Sequence, residues 1–388
     1  MENRIGMHGD NGKPSGIAWH IGRLKLASRV MPAPLCDISD RPFRELARSM
    51  GADLVCTQML SAEGIVRDDK RTWSILDTAG EASPVSVQLL GANPDTLARA
   101  AQMLEARGAS IIDLNMGCPA RKITGNRCGS ALMLHPGLVA AIVKTVKRAI
   151  AIPLTVKMRA GWDDSAQTGM EIAQICESEG VDAVTIHART RQQAYKGRAD
   201  WGLISGIKAA LRIPVIGNGD IMSPPDAVRM IRQTGCDAIM IGRGLMGNPW
   251  LMRACNDAVN RFIEGRIADE SQVPGDEQVL LDDGTCRVPV RVPFYMKEVT
   301  LGERFNLVLW HTRMMVAAKG ERRGVLEMRK HSQHYIKGIR GCKLLREKLM
   351  KLETLEEIGA LFDEYRRWLA GGAGNVRAHD LPDHQYNV

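Results

Sequence analysis

The segment Asn115-Met116-Gly117-Cys118-Pro119 carries the thiol with the clearest potential for chemistry. Gly117 and Pro119 predict a sharp turn directly after an apolar strand, and that turn would present the Cys118 side chain at the strand end. A buried structural role is the usual alternative for any cysteine. Cys128 lies in the same loop and is the main rival.

Two glycine-containing turns, Asn218-Gly219-Asp220 and Gly242-Arg243-Gly244, suggest a phosphate site. Glycines let the backbone approach a bound group closely, and Arg243 adds a positive charge. The simpler alternative is that these glycines only make tight turns. Because both turns follow strands, at matched places, they are more specific than a single such turn.

Further polar side chains lie at or near the ends of predicted strands. These are Gln88, Asn115, Lys157, Arg159, His187 and Arg189. One polar residue at a strand end is usually a solvated loop residue. Together with the two glycine-containing turns, six consecutive strands carry such residues, and parallel strands in a barrel end at the same mouth. We therefore expect these side chains to converge on one site.

The elements that must position these residues form an alternation of short apolar strands and helical stretches. The predicted strands are Arg29–Pro34, Leu54–Met59, Val85–Leu90, Ile111–Asn115, Leu154–Arg159, Ala183–Arg189, Val215–Asp220 and Ala238–Gly242. Helices are predicted at Thr96–Arg107, Gly137–Ala149 and Asp226–Thr234, each preceded by a proline-containing start. Eight βα units predict an α/β fold, a (β/α)8 TIM barrel, with an open doubly wound sheet as the alternative.

The pattern changes after residue 250. We predict a disordered tail at 1–17, the barrel at 18–250, a helical domain at 251–370 and a flexible tail at 371–388. A polar insert near 268–292 contains Val279–Leu281 and Cys286–Val290, which predict a small hairpin or loop.

Composition narrows the class of protein. The 388 residues carry a net charge of +8, and no apolar run is long enough to span a bilayer. Nine scattered cysteines indicate reduced thiols, without spacing typical of a metal site. We expect a soluble, cytoplasmic, monomeric protein that uses no metal. Between Glu321 and Lys351 there are ten Lys or Arg residues and three Asp or Glu, which suggests a polyanionic partner.

The ordered motifs resemble the tRNA-dihydrouridine synthase family, particularly its bacterial B-type members. The matching stretches are Ala33-Pro34-Leu35, Asp40–Arg44, Val87-Gln88, Asp113–Pro119, Lys157-Met158-Arg159, Ile186–Arg191, Pro214–Asp220, Met240–Gly244, Arg329-Lys330-His331 and Lys337-Gly338. The resemblance covers about residues 21–369.

That resemblance implies a barrel that binds flavin mononucleotide (FMN) and a helical domain that docks tRNA. The implied cofactor-binding residues are Pro34, Leu35, Cys36, Gln88, Lys157, His187, Asn218, Gly219, Asp220, Gly242 and Arg243. Cys118 would be the catalytic proton donor, since a thiol has a reference pKa of about 8.5. The implied substrate-binding residues are Asn115, Arg159, Arg329, Lys330 and Lys337.

The implied reaction is reduction of specific uridines in tRNA to 5,6-dihydrouridine, with NADPH as reductant. A hydride would pass from N5 of FMN to C6 of uracil, and Cys118 would protonate C5. Two alternatives stay open: an FMN barrel oxidoreductase acting on a free pyrimidine or enone, and a tRNA-binding protein without catalysis. The chain departs from the family pattern at Leu35-Cys36-Asp37, at Cys128 and in the length of the insert.

Overall fold

The computed structural model describes residues 17–282, 287–296, 299–339 and 341–370. The predicted tails lie outside these residues, except for Ile17. The described chain divides into two compact units. The first unit contains residues up to 245 together with 251–273, and the second contains 246–250 and the residues from 274 onward.

The first unit begins with an antiparallel hairpin, β1 (Trp19–Ile21) and β2 (Leu24–Leu26), ahead of the barrel. Its strands are β3 (Val30–Pro32), β4 (Val55–Cys56), β5 (Leu60–Ser61), β6 (Val85–Leu90), β7 (Ile111–Met116), β8 (Leu154–Gly161), β9 (Ala183–Thr190), β10 (Val215–Asn218) and β11 (Ala238–Ile241). Parallel pairing runs in the order β3-β11-β10-β9-β8-β7-β6-β4, with β5 also paired to β6. Because β3 and β4 also contact each other, the eight-strand path closes almost completely into a (β/α)8 barrel.

Helices connect the strands of this unit. They are α1 (Arg41–Ser49), α2 (Ala62–Val66), α3 (Lys70–Leu76), α4 (Pro94–Glu105), α5 (Arg121–Thr124), α6 (Pro136–Ala149), α7 (Gly169–Ser178), α8 (Trp201–Ala210), α9 (Pro224–Thr234) and α10 (Trp250–Ile263). Several start at capping side chains; Asn93 accepts from the Thr96 backbone N–H, and Ser223 from that of Asp226. The predicted helices differ from the observed ones by two residues or fewer at each end.

The prediction of eight strands is confirmed, with one difference in the second. The predicted strand Leu54–Met59 is two short pieces, β4 and β5, because the chain leaves the sheet between Cys56 and Leu60. The hairpin β1–β2 was not predicted. Its Trp19, Ile21 and Leu26 are buried in a cluster that includes Ile111, Ala183 and Ala238, the first or nearly first residues of barrel strands. The hairpin therefore covers the amino-terminal end of the barrel.

The second unit contains the hairpin β12 (Asp276–Asp282) and β13 (Arg287–Pro293), then four helices. These are α11 (Leu301–Lys319), α12 (Glu321–Tyr335), α13 (Cys342–Leu349) and α14 (Leu355–Ala370). The predicted hairpin is thus present, while its connecting residues 283–286 lie outside the described segments. The helical prediction is also confirmed. Phe305 stacks on Phe362 at a centroid distance of 4.1 Å within the core of the four helices.

Within the described segments, every helix is too short or too polar to serve as a bilayer-spanning segment.

Candidate active site

One cavity lies at the carboxyl end of the barrel strands and encloses about 980 Å³, including its open mouth. Among its lining residues are Pro34, Leu35, Cys36, Gln88, Asn115, Cys118, Lys157, Arg159, His187, Asn218, Gly219, Asp220, Gly242 and Arg243. Strand register explains the convergence. Asn115 is paired with Lys157 across β7 and β8, and His187 lies between Arg159 on β8 and Asn218 on β10.

The Cys118 turn is held by the side chain of Asn115. Its Oδ1 accepts from the backbone N–H groups of Gly117 at 3.1 Å and of Cys118 at 2.9 Å. Asn115 Nδ2 in turn donates to Gln88 Oε1 at 2.8 Å. These contacts fix the turn directly after β7, and the Cys118 side chain lines the cavity from there.

Arg159 supports the same turn from the neighbouring strand. Its buried guanidinium donates to the backbone carbonyls of Gly117 at 2.7 Å, Thr190 at 3.0 Å and Ala194 at 2.9 Å. Burial lowers the pKa of this guanidinium, although Tyr195 and Cys118 oppose the shift. The observed contacts make Arg159 a brace between the turn and the loop after β9.

Lys157 places a cation inside the cavity. Its Nζ donates to Asn218 Oδ1 at 3.1 Å, and Asn218 Nδ2 donates to the Met240 carbonyl at 2.8 Å. Burial, assisted by the charge of Arg159, lowers the pKa of Lys157 to about 8. The ammonium is therefore charged at neutral pH but close to losing its proton.

His187 is surrounded by cations. Burial lowers its pKa to about 2, with Lys157, Arg159, Arg189 and Arg243 acting in the same direction. The imidazole is consequently neutral across the physiological range. It is 9% exposed and can offer one N–H and one lone pair to a ligand, but no charge.

The turns after β10 and β11 form a cradle in which glycines leave the backbone without side chains. Gly219 has φ +127°, and a Cβ there would lie 2.8 Å from the Ala199 Cβ, so a side chain would have to displace the neighbouring loop. Asp220, at φ +56°, accepts from Arg189 Nη2 at 2.7 and 2.8 Å and from the Ala199 N–H at 2.7 Å. Its carboxylate thus holds the loop after β9.

Strand β3 contributes the remaining edge through a short turn. Ser39 Oγ accepts from the Leu35 N–H at 2.9 Å and donates to the Ala33 carbonyl at 3.0 Å. Buried Arg44 donates to the Ser39 carbonyl and pairs with Glu81, whose side chain is also buried. Leu35 and Cys36 are held in the cavity wall by this arrangement.

The sequence model for dihydrouridine synthase (Dus) matches residues 31–273. The chain belongs to the dihydrouridine synthase family. It is 37% identical to tRNA-dihydrouridine synthase B of Xanthomonas campestris pv. campestris over 91% of this chain and 97% of that relative. It is 35% identical to tRNA-dihydrouridine synthase B of Pasteurella multocida over 92% of this chain and 98% of that relative. As a member of this family, the protein is an enzyme.

A solved structure shares the fold of this chain. Histamine dehydrogenase from Rhizobium sp. 4-9 superposes with a TM-score of 0.50 over 64% of this chain and 48% of that chain. The two sequences are 14% identical, so the likeness extends to the fold alone.

The predicted site residues fall into two groups. All fourteen predicted from the barrel line the cavity. Arg329, Lys330 and Lys337 lie in the second unit, on α12 and the turn after it. Lys337 is exposed, while half-buried Arg329 donates to the Leu352 carbonyl at 2.8 Å and thereby joins α12 to the connection between α13 and α14.

Some residues that line the cavity were not among the predicted site residues. Tyr195, half exposed, lies with its ring 4.8 Å from the Arg243 guanidinium carbon and 5.8 Å from that of Arg159. Arg189 was noted at the end of a strand but not assigned to the site. Met59 and Met222 also line the cavity. The aromatic ring in a basic loop was a usable signal for Tyr195, whereas nothing local marked either methionine.

Proposed function

We propose that this protein reduces specific uridines in tRNA to 5,6-dihydrouridine, using FMN as cofactor and NADPH as reductant. The observation that supports it most is the convergence of a thiol, a buried lysine and a glycine cradle on one cavity in a family of this name. We further propose that the barrel predicted at residues 18–250 binds FMN and that the helical domain predicted at 251–370, of which 251–273 belong to the first unit, docks tRNA, in a monomeric cytoplasmic enzyme.

The cavity suits a large anionic cofactor. Four cationic side chains line it, Lys157, Arg159, Arg189 and Arg243, against the single carboxylate of Asp220. Arg189 Nη1 is buried and has no hydrogen-bond partner among the described residues. It lies 3.8 Å from the position a Cβ on Gly219 would take. An excess of positive charge beside bare backbone favours phosphate at this end of the cavity.

The other cofactor contacts follow from the same lining. Gly219, Gly242 and Arg243 would hold the ribityl phosphate, and Asp220 would contribute its backbone because its carboxylate is occupied. Gln88, His187 and Lys157 would contact the flavin ring, with Pro34, Leu35 and Cys36 along its edge. When bound and reduced by NADPH, FMN supplies the hydride that the reduction needs at C6 of uracil.

The residues of the chain account for the rest of the reaction. Cys118 donates the proton that C5 of uracil receives, so that hydride and proton together saturate the C5–C6 bond. Lys157 offsets negative charge in the reduced state with its ammonium group. Asn115, at the same mouth, would orient the uracil through the second hydrogen of its NH2 group, because its oxygen accepts from the Cys118 turn and its first amide hydrogen is donated to Gln88. Since the cavity is closed at its inner end, the target uracil must leave its stacked position in the tRNA to enter.

The experiment that tests this proposal is an anaerobic reoxidation assay. The purified protein is loaded with FMN, reduced with NADPH, and mixed with unmodified tRNA or with free uridine. We expect reoxidation by tRNA alone, together with dihydrouridine in the RNA. Reoxidation by free uridine would instead indicate an oxidoreductase of small pyrimidines. A protein that takes up no FMN but binds tRNA would indicate a binding function without catalysis.

A further inference from the structure

A buried carboxylate lies beneath the cavity and has no assigned role. Asp113, on β7, is 7% exposed. Its Oδ2 accepts from Gln88 Nε2 at 2.7 Å, and its Oδ1 accepts from Thr155 Oγ1 at 2.6 Å. Burial raises the pKa of Asp113, whereas these hydrogen bonds and the charge of Lys157 oppose the rise. Both contacts use the carboxylate as an acceptor.

The acceptor character of Asp113 fixes the direction of the hydrogen bonds that follow. Because Asp113 Oδ2 accepts, Gln88 turns its NH2 group toward Asp113 and its Oε1 away. That oxygen accepts from Asn115 Nδ2 at 2.8 Å. Asn115 must then turn its own oxygen toward the next turn, where it accepts from the N–H groups of Gly117 and Cys118.

We propose that Asp113 is a positioning residue for Cys118, acting through the amides of Gln88 and Asn115. If Gln88 were reversed, Asn115 would present NH2 to the two backbone N–H groups, and donors would face donors. The carboxylate therefore determines whether Asn115 can hold the backbone N–H groups of the turn that carries Cys118. The catalytic meaning of this chain of hydrogen bonds rests on the proposed function, but the chain itself does not.

The direction of the chain can be reversed by exchanging the two end residues. Asn115→Asp alone places acceptors at both ends, so neither orientation of Gln88 satisfies them. In the double variant Asp113→Asn/Asn115→Asp, the new amide at position 113 can donate to Gln88 Oε1, and Gln88 Nε2 can donate to the new carboxylate at position 115. That carboxylate can still accept from the turn. If the three side chains form one directed chain of hydrogen bonds, the double variant should regain stability that Asn115→Asp loses. If Asp113 and Asn115 act independently, the two losses of stability should add.

The first measurement is the thermal unfolding midpoint of the full-length protein. We expect Asn115→Asp to lower the midpoint by about 3 to 6 °C and the double variant to recover at least about half of that loss. Additive losses would overturn the proposal. Because residues 113 and 115 share a face of β7, direct repulsion between two carboxylates could also produce recovery.

A third substitution separates the two causes. Gln88→Met removes the connecting amide but leaves any direct repulsion in place. We expect the recovery to disappear in this background. Recovery that persists there would show that the two carboxylates act on each other directly, and the proposal would fail.

The second measurement concerns catalysis and compares variants that share the Asn115→Asp substitution. We expect Asp113→Asn added to Asn115→Asp to raise kcat for tRNA reduction by about tenfold or more, with a smaller change in KM. Thr155→Val added to Asn115→Asp is the matched control, because it removes the other hydrogen bond to Asp113 without changing its acceptor character. An equal rise with Thr155→Val, or no rise with Asp113→Asn, would contradict the positioning role.

The unfolding measurements need neither FMN nor tRNA. Wild-type protein that fails to reduce tRNA while the stability coupling is present would refute the proposed function and leave the chain of hydrogen bonds supported. If the wild-type protein reduces tRNA but the stability coupling is absent, only the chain of hydrogen bonds is refuted.

Discussion

Two thiols share the loop after β7, and their surroundings differ. The Cys118 N–H is held by Asn115, its carbonyl accepts from Ser130, and its side chain lines the cavity. Cys128 Sγ instead donates to the Asn126 carbonyl, and burial raises its thiol pKa. The geometry places Cys118 with the other residues of the proposed site, and Cys128 is absent from the cavity lining.

We predict that Cys118→Ala lowers the rate of tRNA reduction by about 10²- to 10⁴-fold, the usual contribution of a positioned general acid. FMN binding and reduction by NADPH should be unchanged, since neither requires that proton. Cys128→Ala is the matched control and should retain activity within about twofold. Full activity in the first variant, or loss only in the second, would reject Cys118 as the donor.

The pKa of Lys157 predicts a pH dependence that is separate from that of Cys118. The ammonium is protonated below about pH 8 and loses its charge as the pH rises through that value. We therefore expect the rate at which NADPH bleaches the bound flavin to fall as the pH rises through about 8. This half-reaction involves no tRNA and no proton from Cys118.

Lys157→Met should lack this pH step, whereas Cys118→Ala should keep it. Stopped-flow absorbance measured from neutral to alkaline pH provides the comparison. The same step in Lys157→Met would assign the titration to another group.

At the level of elements, Asp220 links the turn after β10 to the loop after β9. Its carboxylate holds Arg189 and the Ala199 N–H, and Arg243 lies 3.7 Å from it. Charge alone predicts that removing an anion beside a phosphate tightens FMN binding. The contacts predict the opposite, because the cradle loses its support.

We predict that Asp220→Ala weakens FMN binding by at least about tenfold, as expected when one partner of a buried charged pair is removed. Flavin fluorescence titration measures the effect. Asp200→Ala is the control, since this exposed carboxylate caps α8 in the same loop. Tighter binding in Asp220→Ala would show that repulsion outweighs support.

The elements also show what local sequence could and could not predict. Strands such as Ala183–Thr190 are continuous runs buried on both faces, so their positions follow from the sequence. The β1–β2 hairpin has only three residues per strand, too few for a pattern to emerge. Likewise, the polar residues at strand ends were predicted to converge, but the use of Arg159 as a brace depends on carbonyls 31 to 42 residues away.

At the scale of the molecule, the second unit carries most of the basic segment between Glu321 and Lys351. The basic side chains of this segment are not equally available to a nucleic acid. Arg322 is exposed and lies 3.6 Å from Glu353, a separation at which surface pairs contribute little. Arg329, in contrast, is occupied in joining two helices.

We predict that replacing Arg322 and Lys337 with alanine raises the KM for tRNA by several-fold to about tenfold. The dependence of log KM on log salt should become shallower by about 1 to 2, since phosphate contacts release counterions. Reduction of the flavin by NADPH should not change. Lys144→Ala/Arg148→Ala, an equal loss of charge on exposed positions of α6, is the control. Equal effects in both pairs would indicate only a nonspecific response to net charge.

The hairpin of β1 and β2 has a kinetic consequence. Among the described residues, Trp19, Ile21 and Leu26 close the amino-terminal end of the barrel, and the cavity opens at the carboxyl-terminal end. Under the proposed function, the nicotinamide and the target uracil would both have to reach the same bound flavin through that opening, and each would have to leave before the other could take its place. Oxidised NADP would have to depart before the RNA could present its base. The closed amino-terminal end of the barrel would thereby impose a ping-pong order, in which NADPH and tRNA are not bound at the flavin together.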